Sequence, residues 1–245
     1  MLTWGKKPNE IYIFLTKERA ERQMQKVKII ACEVFKEEFL RGLKIPRENC
    51  IFLPQELHRT PDLLNVELQK QIDLLDEQGD LDCIYLGYGW CGNGVAALKS
   101  SRSKIVIPNS EDCISVLLGL RHFGKCQINR TTSYFLSSGW IAFGSDGWKE
   151  YQRCLELFDH ETAYWATKEM IKNYETFILI NNDMASYLAD KVYVQKISEF
   201  FDLNYEEVEG SIDWLASLFE DIESNSKIIV EPGISIQSSM FTCGT

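Results

Sequence analysis

Three cysteines stand where a thiol can do chemistry. Cys32 closes the apolar run Val27-Lys28-Ile29-Ile30-Ala31. Cys91 lies within Leu86-Gly87-Tyr88-Gly89-Trp90-Cys91-Gly92-Asn93-Gly94. Cys113 follows Lys104-Ile105-Val106-Ile107 by way of Pro108-Asn109-Ser110-Glu111-Asp112. Three thiolates make a soft-metal ligand set. Zinc held by three protein ligands keeps a fourth position for water or substrate. A [4Fe-4S] cluster held by three cysteines leaves one iron for substrate. Both chemistries fit this pattern. His58, in the loop beyond Leu53-Pro54, is a candidate fourth ligand or acid/base. Glu33 and Asp112 adjoin two of the cysteines as candidate acceptors or proton carriers. Glu33 and His58 are thus the candidate catalytic residues. Gly92, Asn93 and Gly94 are candidates for contact with a cofactor, because backbone without side chains approaches a ligand closely. A metal-free alternative makes Cys91 a nucleophile. Val95–Lys99 reads as a helix, and a helix N-terminus beside Cys91 would favour its thiolate. A buried free cysteine is more often a small packed hydrophobe, and Cys50, Cys83, Cys126 and Cys154 are assigned that role. His122 and His160 are read as surface or capping residues.

The elements that would position these residues follow from the apolar pattern. Short continuous apolar runs are expected strands at 27–31, 49–53, 83–86 and 104–107, with later ones at 177–180, 205–208 and 227–230. Amphipathic stretches between them are expected helices: Phe35, Phe39 and Leu40; Pro61 to Gly79; Ile114 to Leu120; one or two over 149–173; 184–201; and 212–219. Either Ser110 or Asp112 can cap the helix that starts near Cys113. Alternating strands and helices imply α/β architecture, mostly parallel sheet with helices on both faces, in two Rossmann-like halves. The expected division is an appendage over 1–25, a first half over 26–122 carrying the cysteines, an aromatic connecting segment over 123–148, and a second half over 149–245. Residues 123–148, rich in Gly, Ser and aromatics, read as an irregular lid or hairpin, with Trp140 bordering the cysteines. In such sheets ligands bind beyond the carboxyl ends of the strands, where the strand order switches, so thiols distant in sequence can converge there.

Composition sets limits. The chain has 245 residues and a net charge of −10, which argues against nucleic acid and anionic membrane surfaces as partners. No apolar run approaches the roughly 20 residues of a membrane span, and residues 1–25 lack the apolar region of a signal peptide. The expected location is cytoplasmic, where eight cysteines stay unpaired. No CxxC occurs, so zinc-ribbon and thioredoxin readings lack support. Gly87-Tyr88-Gly89-Trp90-Cys91-Gly92 meets the GxGxxG spacing of dinucleotide folds, but the acidic strand end expected about 20 residues later is missing.

Four motifs together resemble the prokaryotic domain of unknown function 1638. They are Ile30-Ala31-Cys32-Glu33, Leu53-Pro54-Gln55-Glu56-Leu57-His58, Leu86 to Gly94, and Ile107 to Ile114, with Ser138-Gly139-Trp140 further on. The resemblance spans roughly Val27 to Gly233. The family pattern places Arg and His where Asn109 and Glu111 stand here. Family members are common in anaerobic bacteria and methanogenic archaea, often in corrinoid methyl-transfer settings. The resemblance therefore implies a metal-dependent methyltransferase or related one-carbon enzyme with a small-molecule substrate, a corrinoid protein as partner, and a site at Cys32, His58, Cys91 and Cys113. A homo-oligomer is compatible with it. A non-enzymatic module that carries a corrinoid or handles a metal is the alternative.

Overall fold

The computed structural model describes residues 26–119, 129–220 and 225–242. The expected appendage over 1–25, Cys126 and His122 lie outside them. The fold is α/β, with two sheets among the described residues. The first sheet holds β1 (Val27–Cys32), β2 (Cys50–Leu53), β3 (Cys83–Gly87), β4 (Lys104–Pro108) and β8 (Lys227–Val230), in the order β2-β1-β3-β4-β8. β2, β1, β3 and β4 run parallel, and β8 is antiparallel to β4. The second sheet is β5 (Ser133–Leu136), β6 (Thr176–Asn181) and β7 (Asn204–Glu209), all parallel.

Each strand's composition explains its place. β1, β3 and β4 are nearly continuous apolar runs, as expected of strands covered on both faces. β6 alternates in a more telling way. Ile178 and Ile180 join the core of the first sheet, while Phe177 and Leu179 join a second core with Leu136, Val194, Ile197 and Phe201. Successive side chains of a strand point to opposite faces, so the second sheet lies between the two cores.

The helices follow the apolar period with some changes. α1 (Pro61–Gln78) starts with Pro at its first turn and buries Leu64, Leu68, Ile72 and Leu75, one face of an α-helix. α2 (Cys113–Leu118) has Asp112 as its N-cap: the side chain accepts from Ser115 N at 2.9 Å. The stretch 149–173 divides into α4 (Gly147–Leu155) and α5 (His160–Ile171), capped by Asp146 and Asp159. α6 is Tyr187–Phe201 and α7 is Asp213–Ser217.

Three expectations are corrected. Residues 129–148 of the aromatic segment are not irregular: they form β5, α3 (Ser138–Phe143) and the start of α4, and Ser137 caps α3 by accepting from Trp140 N. The helix after β1 is replaced by a 3-10 turn at Glu33–Phe35 and a wide turn at Glu38–Gly42. The helix expected over Val95–Lys99 does not form. Its backbone is satisfied from outside: Asn65 Nδ2 donates to Gly94 O and Ala96 O, Ala97 N donates to Ile236 O, Ile236 N donates to Leu98 O, and the Gln69 amide bonds both N and O of Lys99. With partners on α1 and the later chain, these groups need no helix of their own.

The wide turn after β1 buries Glu38 completely. Neither carboxyl oxygen has a hydrogen-bond partner of standard geometry. Burial pushes its pKa from 4.5 to about 7, and Asn182, just past β6, offsets only part of that. The fold thus favours the protonated carboxyl. This contribution is complete below about 4.5 and is lost as pH rises through about 7, with a slope of about 1.4 kcal/mol per pH unit in between. Glu38→Gln, neutral at every pH, should abolish that slope. Urea unfolding of both proteins across the window checks it; parallel stability curves would refute the assignment.

Candidate metal centre

The order β2-β1-β3 means that the chain leaves β1 on one side and returns on the other. The switch in strand order therefore falls between β1 and β3, the place where open α/β sheets open a crevice. Cys32 ends β1. The register pairs Ala31 with Gly87, so Cys32 and Tyr88 are the next residues along two adjacent strands. Cys91 follows three residues later, and Cys113 follows the neighbouring strand β4.

Two backbone hydrogen bonds draw the last two together: Trp90 N donates to Ser110 O at 2.7 Å and Cys91 N to Glu111 O at 2.9 Å. Gly89 makes this approach possible. A Cβ there would lie 2.6 Å from Asp112 N and 2.7 Å from Asp112 Cα. Asp112 in turn is fixed by α2 and by Arg130, whose Nη2 is 2.5 Å from its Oδ2; Arg130 Nη1 also donates to Ser115 Oγ. The result is a Cys91 Sγ to Cys113 Sγ distance of 3.8 Å. Cys32, Cys91 and burial together push the Cys113 thiol well above the ordinary range. Two of the three predicted cysteines, Cys91 and Cys113, thus meet.

Cys91 does not sit at a helix N-terminus, because the helix after it is absent. It occupies a 3-10 turn, Cys91–Asn93, with a left-handed backbone at φ 47°. This removes the dipole argument for a nucleophilic Cys91 thiolate. The neighbouring residues serve the loop itself. Gly92 adopts φ 61°, Asn93 Oδ1 accepts from Trp90 Nε1 at 2.8 Å, and a Cβ on Gly94 would lie 2.7 Å from Leu64 Cδ2. Asn109 clamps a later segment: its Nδ2 donates to Asn225 O and Thr242 Oγ1, and its Oδ1 accepts from Thr242 N. Phe241 lies against Trp90, ring centres 4.9 Å apart. Cys50 and Cys83 are buried, as assigned; Cys154 is part-buried. His160 pairs with the Tyr151 hydroxyl.

Glu33 Oε1 accepts from Gln55 N at 2.8 Å, which ties the β1 turn to the loop after β2. His58 lies in that loop, with Nδ1 2.6 Å from Gln55 O and the ring 5.4 Å from Trp140. His58 thus pairs with Gln55 and packs against Trp140. Trp140 belongs to α3, which packs directly on the turn after Cys32: a Cβ on Gly139 would lie 1.8 Å from Val34 O. The aromatic segment therefore covers the carboxyl end of β1.

Two residues were not singled out from the sequence. Tyr88 is 2% exposed, and its hydroxyl has no hydrogen-bond partner. Gln55 is buried, and its Oε1 is likewise unpartnered. Both sit inside the quoted motifs, so a buried polar residue among glycines and apolars was the available signal.

The donor set suits a soft ion. Two ligands about 2.3 Å from one tetrahedral ion stand about 3.8 Å apart, the spacing found for Cys91 and Cys113. Thiolates on separate irons of a cubane need a wider spread. Among the described residues, however, no three His, Cys, Asp or Glu side chains already form an arrangement that holds a metal. Cys91 and Cys113 instead share a sulfur–sulfur hydrogen bond.

A family model described as a protein of unknown function, DUF1638, matches residues 52–219. The match includes His58, Cys91, Cys113 and Ser138-Gly139-Trp140, while Cys32 and Glu33 precede it. No curated protein and no solved structure matches the chain.

The sulfur geometry is directly testable. A short bifunctional thiol reagent should link the Cys91 and Cys113 peptides in the native protein, detected by mass spectrometry. Gly89→Ala, which forces the two loops apart, should lower the yield severalfold. Native protein giving no such link would refute the convergence.

Proposed function

The chain belongs to the DUF1638 family, and from that premise we propose that it is a thiolate metal-centre protein acting in one-carbon metabolism. The observation that supports this reading is the approach of Cys91 to Cys113 beside the switch point of a parallel sheet, where Cys32 ends β1. The 3.8 Å spacing favours one zinc-like ion over an iron–sulfur cluster. Cys32, Cys91 and Cys113 would hold the ion, and a fourth position would remain for a small molecule. When bound, such an ion supplies a Lewis acid that lowers the pKa of a coordinated thiol or water.

The chain's own residues have defined tasks in this reading. The three thiols release their protons on binding, so uptake depends on pH. Glu33, beside Cys32, and His58, in the adjoining loop, carry protons at the edge of the crevice. Trp140 and α3 limit water over the end of β1. Corrinoid-linked methyl transfer, with a thiol as methyl acceptor, is the setting that the family resemblance suggests. The absence of a helix over Val95–Lys99 weighs against a metal-free nucleophile at Cys91. The net charge of −10 keeps nucleic acid out of the proposed partners. No helix among the described residues is long and apolar enough to cross a membrane.

Protein purified without oxygen should contain about one equivalent of zinc per chain, by elemental analysis, and lack the visible absorption of an iron–sulfur cluster. Cys91→Ser should lose the metal and remain folded. Cys83→Ser should keep the metal and melt earlier, because Cys83 is buried enough to push its thiol up to about 12 and a serine hydroxyl there costs about 1–3 kcal/mol. Equal metal content in all three proteins would refute the proposal.

A further inference from the structure

Tyr88 is the buried polar group that the proposed centre leaves unexplained. Its hydroxyl is enclosed and has no partner. An unmade hydrogen bond of that kind is costly enough to call for an explanation. The register of β1 and β3 sets Tyr88 beside Cys32 on the neighbouring strand, three residues before Cys91. A tyrosine hydroxyl keeps its proton at neutral pH, so the group available at the centre is an O–H donor. With the thiols protonated, Cys91 and Cys113 already share a hydrogen bond. Neutral sulfur is also a weak acceptor.

We propose that Tyr88 is a positioning residue for the metal-loaded state, its hydroxyl donating to a sulfur of the three-cysteine set once those sulfurs are thiolates. This rests on the thiolate-centre reading above. Metal uptake removes the thiol protons and places negative charge beside the phenol. The unpartnered hydroxyl then gains a strong acceptor, since hydrogen bonds to ionised groups are about twice as strong as neutral ones. Such partners of metal ligands raise affinity, and their loss typically costs about 10- to 100-fold. The same hydroxyl contributes nothing to the metal-free fold, which leaves it without a partner.

The two states therefore separate the role from simple packing. Tyr88→Phe keeps the ring and removes only the hydroxyl. The metal-free variant should melt at the same temperature as the native protein or higher. Its affinity for zinc, measured by competition with a chelator, should fall by about tenfold or more. In cobalt-substituted protein, the thiolate-to-metal absorption should shift, because a hydrogen bond to sulfur has been removed. Cys113→Ser, titrated alongside, reports whether the ion sits at the cysteines. Native protein binding zinc through Cys113, with Tyr88→Phe binding equally well and an unshifted cobalt band, overturns this inference alone. A metal-free Tyr88→Phe protein that melts earlier also overturns it, since the hydroxyl would then serve the empty fold. Native protein that takes up neither ion overturns the metal reading and this inference with it.

Discussion

The contact on which the site depends is between two stretches of backbone. Trp90 and Cys91 donate to Ser110 and Glu111, and Gly89 lies so close to Asp112 that no side chain fits between them. Everything at the centre inherits its position from that approach. Parallel strands β3 and β4 deliver the two loops to the same edge of the sheet. The Asp112 cap and its Arg130 partner then fix where Cys113 enters its helix. An ion pair that is partly exposed would add little to stability alone. Here its value is geometric, since it holds one end of a short backbone bridge.

The glycines of the Leu86 to Gly94 stretch have more than one purpose. Gly87 faces Ala31 and Phe39, Gly89 faces Asp112, and Gly94 faces Leu64. Their spacing resembles a phosphate-binding turn, yet each answers a packing demand of this fold. Gly139 extends the same logic to the second half of the chain, where α3 touches the turn after Cys32. A close backbone approach at each of these points lets the crevice be lined by short loops.

The arrangement of the first sheet was largely legible in the sequence. Continuous apolar runs at Val27, Cys83 and Lys104 can only be strands covered on both sides, and their ends carried the three cysteines. Asp112 was recognisable as a cap. What failed did so for non-local reasons. Val95 to Lys99 has helical propensity, but Asn65, Gln69 and Ile236 satisfy its backbone, and none is a sequence neighbour. Residues 133–143 looked irregular because β5 is only four residues long and α3 six. The antiparallel β8 carried no local sign that its partner was β4. Tyr88 and Gln55 were missed because burial without a hydrogen-bond partner is a property of the fold.

The segment from Ile236 to Thr242 bonds to both cysteine loops: Ile236 with Ala97 and Leu98, Phe241 against Trp90, and Thr242 with Asn109. During translation, the stretches bearing Cys32, Cys91 and Cys113 leave the ribosome well before this segment. A nascent chain can pair β1 with β3, yet it lacks the late strap that seats the two loops. The final seating of the two loops therefore waits for this segment to leave the ribosome, and a chain stalled near residue 230 would carry Cys91 and Cys113 on loops without their finishing clasp.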